Sequence, residues 1–257
     1  MDISYIADKV GREIAYKIVS YYLDEPVSSI RYREHFDLPA KFVDDVIDKY
    51  KQGVPLNKIF GYEYFFGEKF IVTEDVLAPR QDTELLVDKA LEMIDQGDRV
   101  LDLCSGSGCV GLSIAKNRDV SLVLCDKSEK AMNIAKRNAE ALSVNAEFVI
   151  SDMFDNLNGT FDCIVSNPPY IRTDVIDSLD VGVREYDPLM ALDGGVDGLT
   201  FYKIIRQNFE SFLALNGVLL LEIGYDQAQD ILNLFDGFNV KIFKDYGGNP
   251  RVAVIKR

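Results

Sequence analysis

Arg99-Val100-Leu101-Asp102-Leu103-Cys104-Ser105-Gly106-Ser107-Gly108 sets a short apolar run directly against a loop in which glycine recurs. Residues 99–103 read as a strand. Glycines at 106 and 108 let the backbone turn sharply and come close to a ligand. Gly111 completes a formal G-x-G-x-x-G, and Val110–Ala115 opens a helix. A strand, a glycine-rich turn and a helix in that order begin an α/β unit that holds a nucleotide-like ligand, and the spacing alone fits a dinucleotide as readily as any other.

Downstream, the chain alternates. Ser121–Cys125 reads as a strand, Ser128–Ala141 as a helix with Ala131, Ile134, Ala135 and Ala139 inward, and Ala146–Ile150 and Phe161–Val165 as strands. Residues 172–198 are polar and glycine-rich, a long loop with room for one short helix. Leu199–Leu215 is predicted helical, Gly217–Glu222 a strand and Gln227–Leu234 a helix. Phe238–Phe243 and Arg251–Lys256 form a terminal hairpin around Gly247-Gly248. Short links between alternating strands and helices predict a doubly wound, Rossmann-like parallel sheet whose last strand runs antiparallel.

Upstream the texture differs. Ile3, Ile6, Ala7, Val10, Ile14, Ala15, Ile18 and Val19 recur at three- and four-residue spacing, an amphipathic helical face. Glu25-Pro26 breaks it, and two further helical stretches follow before Gly53-Val54-Pro55. Tyr62 to Val76 is aromatic and β-branched with a turn at Gly67-Glu68, which predicts a β-hairpin. The reading is thus a small helical domain over residues 1–61, a hairpin linker over 62–77 and an α/β domain over 78–257.

Composition narrows the function. The 257 residues carry a formal net charge of −14. Nonspecific nucleic-acid binding depends on Lys and Arg neutralising phosphates, so direct nucleic-acid binding is not expected. Cys104, Cys109, Cys125 and Cys163 form no C-x-x-C pair and read as buried thiols of a cytoplasmic protein. His35 is the only histidine, which argues against a histidine metal site or a Ser-His-Asp triad; no metal is expected. No leader or membrane segment is expected either, and a monomer is the expected state.

The ends of the strands carry the chemistry. Asp102 precedes the glycine loop, where a carboxylate repels a pyrophosphate but suits an α-ammonium group. Asp126 ends the next strand, a position suited to ribose hydroxyls. Ser151-Asp152-Met153-Phe154 follows the third, with an acceptor for an adenine amino group beside apolar side chains that cover its ring. Together these suit S-adenosylmethionine, which has an amino acid and a ribose but no phosphate. The fourth strand ends in Ser166-Asn167-Pro168-Pro169-Tyr170. Two prolines stop the strand and fix φ near −65°, leaving an amide, main-chain carbonyls and an aromatic ring together. Such acceptors specify a planar amino group. They do not say whether it belongs to a glutamine or to an adenine flipped from a nucleic acid.

On these residues the chain resembles the PrmC/HemK family of release-factor glutamine methyltransferases over nearly its whole length. The matching pieces are Pro79–Glu84, the Asp102–Gly108 loop, Ser151–Phe154 and Ser166–Ile171. Others are Tyr186-Asp187-Pro188, Ala191-Leu192, Gly194–Leu199 and Asp245-Tyr246-Gly247-Gly248. The family usually has Pro where Gln81 stands, Gly-Thr where Cys104-Ser105 stand, Glu where Asp187 stands and a bulky aromatic where Met153 stands. The resemblance implies a seven-stranded class I methyltransferase sheet and an N-terminal domain that recognises the substrate. It implies methyl transfer from S-adenosylmethionine, leaving S-adenosylhomocysteine, to the glutamine amide in the Gly-Gly-Gln motif of peptide chain release factors; a ribosomal protein is an alternative substrate. Asn167, Pro168, Pro169 and Tyr170 are then the catalytic residues. Asp102, Cys104, Ser105, Gly106, Ser107, Gly108, Asp126, Asp152, Met153, Phe154 and Asn167 are expected to bind the cofactor. Arg80, Thr83 and Glu84 are expected to form a hinge and clamp between the domains.

Overall fold

The computed structural model describes residues 1–257 and divides into two compact units. The first comprises Met1–Tyr62 together with Asp180–Tyr186. Its helices are α1 (Ile3–Val10), α2 (Arg12–Leu23), α3 (Val27–Ile30), α4 (Ala40–Lys51) and α5 (Leu56–Phe60). The amphipathic face over residues 3–19 is split, because Gly11 adopts φ 84° and ends α1 while starting α2. A residue with a Cβ resists that conformation. Ile6, Ile18, Val19, Ile30 and Val43 are fully buried in this unit's own core. The segment 180–186, far along the chain, supplies the short helix α9 (Val181–Arg184) to it.

The second unit begins with a two-stranded ribbon, β1 (Tyr62–Phe65) and β2 (Glu68–Ile71), followed by α6 (Glu84–Leu91). Then come β3 (Arg99–Leu103), α7 (Cys109–Asn117), β4 (Ser121–Asp126), α8 (Glu129–Leu142), β5 (Glu147–Ile150) and β6 (Phe161–Ser166). After the loop that contains α9 follow α10 (Thr200–Phe212), β7 (Leu213–Glu222), α11 (Ala228–Leu234), β8 (Asn239–Lys244) and β9 (Pro250–Lys256). The sheet order is β5-β4-β3-β6-β7-β9-β8. The first five strands in that order are parallel, and β9 runs antiparallel to both neighbours. The seven-stranded α/β sheet and its antiparallel end follow the sequence expectation. β7 starts earlier, at Leu213, because a register shift beside Phe161 lets the strand pair on both sides of Gly217. The loop over 172–198 carries three short helical turns where one was expected.

Helices cover both faces of the sheet, and each face has its own core, which is why the central strands are apolar at nearly every position. The chain reverses direction across the sheet between β3, with β4 and β5 on one side, and β6 on the other. The carboxyl ends of β3 and β6 therefore flank a crevice, where ligands bind in open α/β sheets.

Candidate active site

Four strand ends build one cavity of about 570 Å³, within the size range of small-molecule sites. Its wall includes Asp102 to Ser107 after β3, Asp126 to Ser128 after β4, Ser151 to Met153 after β5, and Asn167 and Pro169 after β6. Two further stretches, Asp75–Arg80 and Pro188–Ala191, contribute to it, as do single residues that include Thr83. The two stretches are joined by the Arg80 guanidinium, which donates to Asp187 Oδ2 at 2.7 Å. The Asp187 carboxylate is 1% exposed and also accepts from the Ala78 amide at 3.4 Å.

The glycine loop is drawn into shape by the strands beside it. The Ser105 amide donates to Cys125 O at 3.0 Å and the Gly106 amide to Asp126 Oδ2 at 2.8 Å. Asp126 Oδ1 accepts from the Ser128 amide at 2.8 Å. Burial raises the Asp126 carboxyl above its ordinary range, and the amides of Ser128, Gly106 and Lys127 pull it back. Asp102 lies deeper. Its Oδ2 accepts from the Gly111 amide at 2.8 Å, and burial pushes its carboxyl up to about 7. A buried carboxyl in that range gains most from a cationic partner. Ser105 Oγ is buried with no protein hydrogen-bonding partner, as expected of a group that serves a polar ligand.

Cys104 adopts φ 63° and Met153 φ 49°. Both are left-handed positions that an L side chain occupies only at a cost. Their sulfurs approach to 3.7 Å. Asp152 is exposed and its Oδ2 meets Lys127 Nζ at 2.6 Å.

Not every residue assigned from sequence reaches the cavity. Phe154 is buried against Phe212, the rings stacked with centroids 4.9 Å apart, and does not line the wall. Its apolar bulk is claimed by the core of the lower sheet face. Gly108 does not line it either; it caps α7 at φ 78°, and a Cβ there would meet Leu112, Leu124 and Ala135. Gly111 likewise serves packing, since a Cβ would lie 2.7 Å from Leu124 and 2.9 Å from Asp102. Pro168 is buried and absent from the wall. The Tyr170 ring packs against the sheet core, and its hydroxyl donates to Glu222 Oε1 at 3.3 Å.

The motif after β6 is held from behind by its own residues and by residues of other segments, of which Glu222 and Gln227 are not singled out in the sequence. Ser166 Oγ donates to Leu103 O at 2.6 Å. Gln227 Nε2 donates to Tyr170 O at 3.0 Å. Ile171 exchanges hydrogen bonds with the next loop, its amide to Leu192 O at 3.0 Å and its carbonyl from Gly194 N at 2.7 Å. Gly194 has no room for a side chain: a Cβ would sit 2.7 Å from Tyr170 Cα and 2.9 Å from Pro169 O. The Asn167 side chain donates from Nδ2 to Thr83 Oγ1 at 3.4 Å, which turns its Oδ1 away from Thr83. One signal for this backing was available, the carboxylate of Glu222 within the apolar run Val218–Ile223. Gln227 carried none. Thr83 and Glu84, expected as a clamp between domains, make contacts within the second unit: Glu84 Oε1 accepts from the Phe66 amide at 2.8 Å.

Comparison with known proteins accords with this geometry. The methyltransferase small domain family matches residues 80–182. The release factor glutamine methyltransferase of Thermodesulfovibrio yellowstonii is 40% identical over 228 residues, covering 85% of this chain and 82% of that one. The release factor glutamine methyltransferase of Agrobacterium fabrum is 39% identical over 224 residues, covering 82% and 78%. Among solved structures, the 16S rRNA N2 G1207 methyltransferase of T. thermophilus in complex with AdoMet and guanosine superposes with a TM-score of 0.53. It is 18% identical, over 76% of this chain and 49% of that one, a likeness that concerns the fold.

Proposed function

The chain belongs to the family of release factor glutamine methyltransferases, and we propose that it methylates the side-chain amide of the glutamine in the Gly-Gly-Gln motif of a peptide chain release factor, using S-adenosylmethionine. The observation that carries this reading is the Asn167 amide. Thr83 takes its N–H, so an acceptor remains for a donor-bearing substrate beside the cavity.

The residues present fit the cofactor. Asp102, with its carboxyl raised by burial, suits an α-ammonium group; Asp126 has lone pairs left for ribose hydroxyls after accepting two amides; Asp152 and Met153 line the same cavity and are proposed to meet an adenine edge and face. Ser105 Oγ is a free donor for a carboxylate. When bound, S-adenosylmethionine supplies a sulfonium-activated methyl group.

The chain's own part is to prepare the nucleophile. A primary amide nitrogen is weakly nucleophilic because its lone pair is shared with the carbonyl. It bears two N–H donors; Asn167 Oδ1 is proposed to accept one, and the main-chain carbonyl of Pro168, a residue buried behind the wall, to accept the other. Holding both protons directs the nitrogen and enriches it in electron density. A glutamate side chain has no such donors and would leave both acceptors unpaired, so the same pair rejects it. Positioning of this kind is worth roughly 7–11 kcal/mol of barrier. Tyr170, anchored by Glu222 and packed below the motif, stiffens this arrangement. The helical unit, with its separate core, is proposed to recognise the release factor.

The test is incubation of the purified protein with methyl-labelled cofactor, a release factor and total RNA. Label on the Gly-Gly-Gln glutamine is the expected result. Label in RNA with none in protein would overturn it in favour of an adenine methyltransferase.

A further inference from the structure

Glu222 anchors Tyr170 through one carboxylate oxygen, and its second oxygen has no task in that mechanism. It ends β7 with 3% exposure. Its Oε1 accepts from Tyr170 Oη at 3.3 Å, and its Oε2 is fully buried with no aligned donor. Thr83, 1% exposed, is the hydroxyl beside it, near enough to favour the charged carboxylate. The same hydroxyl faces Asn167 Nδ2 at 3.4 Å. Three side chains from separate parts of the chain therefore form a line from Glu222 through Thr83 to Asn167.

We propose that Glu222 is a positioning residue that sets the hydrogen-bond direction of this line, so that Asn167 offers its oxygen and not its NH₂ to the substrate amide. The inference rests on the reading of Asn167 Oδ1 as the substrate's acceptor. An ionised carboxylate only accepts. It accepts the Tyr170 proton, and on this proposal the nearby Thr83 hydroxyl turns its proton toward the open Oε2. Thr83 Oγ1, its proton committed to Glu222, has only lone pairs left for Asn167, and the amide turns Nδ2 toward it. Protonated Glu222 donates instead. The Thr83 proton is then free to point at Asn167, the amide gains by rotating, and its NH₂ faces the two N–H donors of the substrate.

The groups around Glu222 bear on its charge. Arg251 from β9 favours the ionised form and is itself held by Asp245 at 3.3 Å and Asp82 at 3.2 Å. Asp82 opposes it. Tyr170 favours it, Cys109 of α7 lies within electrostatic reach, and Tyr202 of α10 donates to the Glu222 main-chain carbonyl at 2.8 Å. Burial outweighs the favourable partners and pushes the carboxyl up to about 7. The direction of the line thus changes within the neutral range, and kcat rises with pH through it.

The experiment is the pH profile of kcat at saturating S-adenosylmethionine, with a release factor as acceptor. Saturation keeps Asp102 paired, so its titration does not enter. Glu222→Gln is expected to lower kcat at pH 8 by about tenfold or more, leave the KM for cofactor within about twofold, and abolish the decline below pH 7. Thr83→Val should lose as much, Thr83→Ser should recover most of it, and Glu222→Gln should cost nothing further in the Thr83→Val background. If Glu222→Gln does not fold, the Thr83→Val and Thr83→Ser pair decides. Wild-type kcat and pH profile in Glu222→Gln would overturn the proposal, as would equal damage from Thr83→Val and Thr83→Ser or multiplying losses in the double variant. Failure of the underlying reading looks different: wild-type protein then puts no methyl group on the release factor.

Discussion

Replacing Gly194 by Ala presses on the main chain of the motif after β6 while leaving every side chain of the cavity wall unchanged. The added Cβ would lie 2.7 Å from Tyr170 Cα, 2.8 Å from Tyr170 C and 2.9 Å from Pro169 O. These are main-chain atoms and cannot rotate aside. Ordinary contact begins at 3.4 Å, so the two segments must part by at least about 0.7 Å. They are also tied there, by the Gly194 amide to Ile171 O at 2.7 Å. Overpacking of this kind costs about 1–3 kcal/mol, or several degrees of Tm in a chain this size. A displacement near 1 Å at reacting groups costs about a hundredfold in rate. The expected outcome is a kcat lower by roughly 30- to 100-fold, with cofactor affinity within about twofold, since the glycine loop and Asp126 sit on other strands. Titration calorimetry and steady-state methyl transfer measure the two. Gly237→Ala is the control: it forces a side chain onto φ 90° but meets nothing within 4 Å. It should lose stability of about 1 kcal/mol and keep its kcat. A Gly194→Ala kcat within threefold of wild type, or a loss matched by lost cofactor binding, would show that this close approach does not position the motif.

Two other outcomes follow from the cofactor side. Cys104→Gly removes a left-handed strain of about 1 kcal/mol, partly offset by a more flexible unfolded chain. Its Tm should equal or exceed that of wild type by about 2 °C, and a fall of more than about 3 °C contradicts the strain argument. Burial raises the Asp102 carboxyl to about 7, above its unfolded range, so its contribution to stability is full below pH 4 and is lost as pH rises through 7. An ammonium ligand needs the ionised form. Cofactor affinity should therefore tighten about tenfold between pH 6 and pH 8 and be flat in Asp102→Asn; equal pH slopes in the two proteins exclude Asp102 as the partner.

The sheet was legible because each of its central strands is an apolar run followed by a turn and a helix, a pattern set by burial on both faces. The strand ends were legible for a related reason: Asp102, Asp126 and Asn167 are polar residues at the limit of apolar runs, where only a ligand or a cap gives them partners. Elsewhere local pattern misled. Phe154 looked like a ring cover because it follows Asp152, yet Phe212 of α10 stacks on it. Gly108 and Gly111 matched a ligand-binding spacing and instead make room for Leu124. The backing of the motif by Thr83, Gly194, Glu222 and Gln227 joins four segments from opposite ends of the unit. No periodicity announces such a network, since each member is polar or small for a reason that exists only once the sheet has formed.

In the proposed mechanism Asn167 orients the substrate amide and does little for the cofactor. Single-turnover transfer to a release factor by Asn167→Ala, with S-adenosylmethionine affinity measured on the same preparation, tests it most directly. The expected result is transfer reduced to background with affinity within about threefold of wild type, the loss of a group that acts on the nucleophile. Near-normal transfer, or cofactor binding that disappears together with activity, would contradict it.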